Sequence, residues 1–300
     1  MAKNPRFRFF GNVTVGEAGV EGEQGRQEIS VQELLQRGYD AVVLAYGAES
    51  NRQLGIPGEQ LGGVFSAREF VNWYNGHPDF VHVGDAIDLS KVRVCGIIGR
   101  KFRLITVLIH DSLLMSQTKS VVVVGQGNVA LDCARLLAKP ISDLQTSDLT
   151  DAALQKLASS TVKDIHVAGR RGHIQAAFTI KELRELTKIP GVHLKIFDSE
   201  LQAGMTPSSE EELRTKRPLK RITDLITTTA AASPPATNEV DKTINIRFFL
   251  SPVECIEGVV DGQRTGAVSS VVFEKCRLEG PPHAQRAVST GTSLIFSLRH

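Results

Sequence analysis

Cysteine is scarce: four residues in 300, at 95, 133, 255 and 276, with no CxxC among them. No histidine stands at metal-ligand spacing from any of the four. Reduced thiols are therefore expected, in place of a disulfide framework or a zinc site. An excess of one charge is also lacking. A formal net charge of +2 excludes a general attraction to nucleic acid, so basic residues matter only where they cluster. Long apolar runs are missing too: the stretch closest to one, LITVLIHDSLLM at 104–115, is interrupted by His110 and Asp111 and is too short to span a bilayer. The first residues, MAKNPRFRFFGNV, hold three basic groups and no acid. They lack the apolar core of a secretory signal and the length of a transit peptide.

What is present is mostly α/β patterning. Residues 7–15 read as strand, turn, strand. Ser30, with Glu33 three residues on, is a capping box opening a helix that ends at Gly38. AVVLAYGA, from 41 to 48, reads as a strand buried on both faces. Residues 66–76 form a short capped helix closing at Gly76. The segment 80–119 has β-type composition without clear pairing partners, and its KVRVCGIIGRKFRLITVLIH carries no acid. From 120 the pattern sharpens: strand 120–124, helix 128–138 stopped by Pro140, a helix over 147–160 starting from Ser147 or Asp148, strand 163–169, helix 178–191 and strand 192–197. That alternation predicts a parallel sheet covered by helices. Residues 206–231 read as helix, 231–240 as a disordered linker or loop, and the two stretches after it as hairpin-like strands.

The densest chemistry lies in SVVVVGQGNVALDCARLL, 120–137. Gly125 permits the tight turn after the strand, Gly127 leaves room for a pyrophosphate against the backbone, and Ala130 lets the helix pack closely on the strand. The N–H groups of Asn128 and Val129, aided by the helix dipole, are placed to hold phosphate, and Asn128 can cap the helix. A lone glycine pattern is weak, but this one joins a strand to a helix, as a dinucleotide site requires. The alternative is a tight turn that holds nothing. At the end of the next strand an NAD site carries Asp or Glu for the ribose 2′-hydroxyl; here Arg170 and Arg171 stand instead. Paired guanidinium groups suit the 2′-phosphate of NADP. A second basic cluster, Lys216, Arg217, Lys220 and Arg221, reads as a solvated helix face or as a dock for an acidic partner.

These stretches resemble the mitochondrial NADPH:adrenodoxin (ferredoxin) reductase family. The resemblance is carried by FFGNVTVG, AVVLAYGAE, IPGE, FVNWYNG, VVVVGQGNVALDCARLL, VAGRRG, QAAFTIKELRE and RPLKRITDLI, and covers most of 6–79 and 120–290. It implies an α/β flavoprotein with two Rossmann-like domains that passes electrons from NADPH through FAD to an adrenodoxin-type [2Fe–2S] ferredoxin, as in P450 electron transport and steroid metabolism. By position it implies that Gln126, Gly127, Asn128 and Val129 hold the NADP phosphates and that Arg170 and Arg171 bind the 2′-phosphate. Glu182 would also contact NADP, the Val15 backbone would touch the flavin, and Arg217 and Arg221 would dock the ferredoxin. It implies the mitochondrial matrix and peripheral contact with the inner membrane. No catalytic side chain and no metal are expected, since hydride transfer is the cofactors' chemistry.

The family's first GxGxxG turn and following Glu, which grip FAD, have no counterpart here, nor has its W-x-x-x-G-P-x-G region; the only tryptophan is Trp73. The expected organisation is therefore a remnant of an FAD domain over 1–79, an atypical and poorly ordered insertion over 80–119, an NADP domain over 120–290 and an atypical tail over 291–300. A fragment that binds NADP or ferredoxin without FAD is the rival reading. A weaker rival is another two-dinucleotide flavoprotein such as a glutamate synthase small subunit, against which GRRG and KRPLKR argue.

Overall fold

The computed structural model describes residues 5–11, 13–16, 27–45, 53–87, 89, 94–98, 120–232 and 240–297. The chain divides into two compact units, Met1–Ser50 and Asn51–His300.

In the first unit, β1 (Val13–Val15) pairs in parallel with β2 (Gln27–Ile29), and α1 (Val31–Gln36) follows. The predicted capping box is present: Ser30 Oγ accepts from the Glu33 N–H at 3.1 Å and Glu33 Oε2 accepts from the Ser30 N–H at 2.9 Å. Gly38, at φ +88°, turns the chain after the helix. Two expectations are corrected. Of the strands predicted over 7–15, only β1 forms. The buried strand expected from 41 is irregular through 45, with Val43 86% and Leu44 60% exposed. An apolar run becomes a buried strand only where neighbours supply a hydrogen-bonded edge and cover for both faces, and neither β1 nor β2 pairs with it.

The second unit is built on six parallel strands: β3 (Val64–Ser66), β4 (Val94–Ile98), β5 (Ser120–Val124), β6 (Asp164–Ala168), β7 (Val192–Ile196) and β8 (Lys242–Arg247), in the order β3-β4-β5-β6-β8-β7. Its helices are α2 (Ala67–Tyr74), α3 (Val81–Ala86), α4 (Asn128–Ala138), α5 (Ile141–Leu144), α6 (Asp151–Ala158), α7 (Ile180–Leu186), α8 (Asp198–Gly204), α9 (Pro207–Thr215) and α10 (Arg217–Ala231). The sheet centre is dry: Val121, Val122, Val123, Ile165, Val167, Ile244 and Ile246 are fully buried. Burying each such side chain contributes roughly 1.5–3 kcal/mol. A second sheet, β9 (Leu250–Val260), β10 (Gln263–Glu279) and β11 (Arg286–Ser297), is an antiparallel meander ordered β11-β10-β9.

Several boundaries differ from expectation, each for a local reason. Within 80–119, residues 81–86 are helical, and 94–98 form a strand of the main sheet between β3 and β5; the pairing was hidden because both partners are distant in sequence. The stretch 100–119 lies outside the described residues, as does 233–239 of the expected linker. Helix α6 starts later than Ser147, because Thr150 is its cap and accepts from the Ala153 N–H. The helical stretch 206–231 is two helices broken at Lys216, with Pro207 and Pro218 in their first turns. The strand opening the expected hairpin pair joins the parallel sheet as β8. Phe249, at φ +59°, then turns the chain into β9. Residues 291–297 form strand too, being part of β11.

Candidate functional site: a glycine turn and an arginine loop

Strand β5 ends at Val124, and Gly125 leaves it at φ +138°, a conformation that only glycine adopts freely. Its N–H donates to Ala168 O at 2.7 Å, tying the turn to the end of β6. Gly127, at φ −105° and ψ 174°, is the N-cap of α4, and no side chain caps this helix. Asn128 is its first helical residue, which corrects the expectation of a side-chain cap. Asn128 Oδ1 accepts instead from the Thr179 N–H at 2.8 Å. The Asn128 and Val129 N–H groups, in the first turn, have no intrahelical acceptor. A Cβ built on Gly127 would meet nothing within 4 Å, so the approach to these donors is open. Ala130 is fully buried, as close contact of α4 with the sheet demands. The turn thus offers oriented N–H donors, the positive end of a helix dipole and free space, which together suit a pyrophosphate.

Gln126 is committed elsewhere. Its Nε2 donates to Arg247 O at 2.7 Å, and its side chain lies where a Cβ on Gly169 would fall, 2.3 Å from that position. Any phosphate contact from Gln126 therefore runs through its backbone. Arg247 is fixed in turn: its guanidinium bonds Glu200 Oε1 at 2.7–2.8 Å and lies 4.3 Å from the centre of the Phe197 ring. Neither Gly169, Arg247 nor Glu200 was picked out from the sequence; the Gly in VAGRRG was the one hint available.

Arg170 and Arg171 follow Gly169 at the exposed end of β6. Desolvation, and then the adjacent Arg170 charge, lower the pKa of Arg171. Two cations held together in this way gain from an anion between them. Glu182, in the first turn of α7, faces Arg135 Nη1 at 3.7 Å. The same guanidinium pairs with Asp132 and Glu185, and Tyr74 OH donates to Asp132 at 3.3 Å. Burial, followed by the Cys133 and Asp132 charges, pushes the Tyr74 phenol well above its ordinary range.

The remaining predicted residues lie apart from the turn in sequence and in element. Arg217 and Arg221 are exposed in the first turns of α10, with Lys216 and Lys220 beside them. Val15 is half exposed at the end of β1, in the first unit. Among the described residues no cluster of three or more His, Cys, Asp or Glu side chains could hold a metal. A concavity of about 180 Å³, lined by Leu137, Pro140, Leu157, Val192 and Lys242 among others, sits at the opposite end of α4 from the glycine turn. There Lys242 Nζ closes the helix by donating to Leu137 O at 2.7 Å, which marks a packing seam and not the dinucleotide site.

No family model matches the chain. Over 97% of its length it is 38% identical to the mitochondrial NADPH:adrenodoxin oxidoreductase of Arabidopsis thaliana and 39% identical to that of Homo sapiens. The chain is thus similar over nearly all its length to NADPH:adrenodoxin oxidoreductases. It spans about half the length of these relatives, 52% and 50%. A solved structure of Mycobacterium tuberculosis FprA in complex with NADPH superposes with a TM-score of 0.70 at 33% identity, over 99% of this chain and 54% of that one. The α/β fold with a Rossmann-like parallel sheet is thus shared with FprA.

Proposed function

We propose that this chain is the NADP-binding part of a flavoprotein oxidoreductase of the adrenodoxin-oxidoreductase type. One observation carries the reading: a glycine turn with open space over Gly127 leads into α4, and the next parallel strand ends in Arg170–Arg171. The turn suits a pyrophosphate, and the arginine pair suits the 2′-phosphate that separates NADP from NAD. When bound, NADPH and FAD supply the redox chemistry, a hydride exchanged for single electrons passed to a ferredoxin. This chain's residues bind and orient. The N–H groups of Gly127, Asn128 and Val129 hold the pyrophosphate, the two arginines hold the ribose phosphate, and Glu182, in the first turn of α7, also contacts NADP. In this reading residues 120–290 form the NADP domain, with β3 and β4 completing its sheet, and the first unit, with the Val15 backbone against the flavin, belongs to the FAD domain. Arg217 and Arg221 offer an acidic [2Fe–2S] ferredoxin a cationic dock.

The mitochondrial names of the relatives support a mitochondrial location. A matrix setting, peripheral contact with the inner membrane and a part in steroid metabolism rest on the family resemblance. Among the described residues no helix is long and apolar enough to cross a membrane.

The test is the double variant Arg170→Ala/Arg171→Ala. Binding titrations should show that its preference for NADPH over NADH is lost, while NADH affinity changes little. An unchanged preference would move the 2′-phosphate site elsewhere. The visible spectrum of the purified chain, with NADPH-dependent dye reduction, reports whether flavin is retained.

A further inference from the structure

Residues 169–179 leave the glycine turn and come back to it. The outgoing limb starts where Gly125 N–H meets Ala168 O, and Gly169 N–H donates to Arg247 O at 3.0 Å. The arginines stand at the exposed bend, where Arg171 O accepts from the Phe249 N–H at 3.3 Å. The return limb is pinned below by Ile174 and Phe178, 2% and 4% exposed. It rejoins the turn through two hydrogen bonds. One is backbone, Ala177 N–H to Gln126 O at 2.9 Å. The other uses a side chain, Thr179 N–H to Asn128 Oδ1 at 2.8 Å. The same limb runs beside the turn as a parallel bridge between Gly127 and Ala177.

We propose that Asn128 is a positioning residue for the arginine pair: its side chain ties the return limb of the arginine loop to the glycine turn and thereby sets selectivity for a 2′-phosphorylated nucleotide. The proposal rests on the NADP reading of Arg170 and Arg171. Losing the link frees a loop whose job is to hold two mutually repelling cations at a fixed distance from the pyrophosphate site. A helix-start amide that merely touched the pyrophosphate would affect every adenine nucleotide alike.

Calorimetric titration of the full chain with adenosine 2′,5′-bisphosphate and with 5′-AMP separates the two. Asn128 is exposed and has no role in the core, so Asn128→Ala should fold, with an unchanged circular dichroism spectrum. It is expected to lose about five- to tenfold more affinity for the bisphosphate than for 5′-AMP, the worth of one such hydrogen bond. Asn128→Asp keeps an acceptor for Thr179 N–H but adds a negative charge beside the 5′-phosphate. It should weaken both ligands together and preserve their ratio. Equal loss of both ligands in Asn128→Ala, or no loss of either, overturns the proposal. Arg170→Ala/Arg171→Ala separates the two ideas. If it abolishes the bisphosphate preference while Asn128→Ala retains it, the positioning role alone fails. If it leaves the preference intact, the NADP reading of the pair fails and the positioning role falls with it.

Discussion

Gly169 has no room for a side chain, because the Gln126 side chain already occupies the space. An alanine there would press on Gln126 Cδ at 2.3 Å and Cγ at 2.5 Å, driving the amide off Arg247 O and leaving that half-buried acceptor with one partner fewer. Gly169→Ala should therefore destabilise the chain by about 1–2 kcal/mol. The cost should largely vanish in a Gln126→Ala background, where the space is empty. Equal destabilisation in both backgrounds, measured by urea unfolding, would mean the clash lies elsewhere. At this scale much was legible in the sequence. Gly125, at positive φ, and Ala130, fully buried, do what their types in that spacing require, because backbone conformation and close approach are properties of single residues. The partners of Gln126 and Asn128 were hidden, since Arg247 and Thr179 are 121 and 51 residues away.

Helix α10 begins against its own electrostatics. Lys216, Arg217, Lys220 and Arg221 crowd its first turns, no acid is among them, and no side chain caps it. Cations at a helix N-terminus oppose the dipole by a few tenths of a kcal/mol each when exposed. A cluster kept there at a cost is better explained by a partner than by stability. Arg217→Glu/Arg221→Glu should accordingly raise the melting temperature slightly, by the equivalent of roughly 0.5–1 kcal/mol, and slow electron delivery to an acidic ferredoxin. Reduction of a small dye should be spared. Equal loss of both activities would remove the docking role. Local sequence determined some helix starts: the Ser30–Glu33 and Ser66–Glu69 capping boxes both form. It failed for 41–45 and for β4, because a strand is defined by what pairs with it.

Two histidines contribute to the acid sensitivity of the second unit. His173 is 2% exposed and its Nδ1 has no hydrogen-bond partner; desolvation lowers its pKa to about 4. His166, on β6, is likewise pushed down to about 4, first by desolvation and then by Arg247 and Lys195. Both are neutral when folded and charge more readily when unfolded. Their contribution to stability is present above the unfolded value near 6.5 and is lost as pH falls from there through about 4. A shift of that size corresponds to roughly 3 kcal/mol for one group. The unfolding free energy should fall steeply between those limits, and less steeply in His173→Leu. A profile flat over that range would show that neither ring is held neutral.

The sequence by itself determined the glycine turn between strand and helix, the arginine pair just past the next strand and the basic start of α10. Each is written in a short stretch whose meaning depends on residue type and spacing. Tertiary structure decided which strands pair, that 94–98 lies beside β5, and that Asn128 and Gln126 spend their side chains on the protein. Those outcomes depend on contacts between segments far apart in the chain, and hydrogen bonds across such distances leave no local pattern to read.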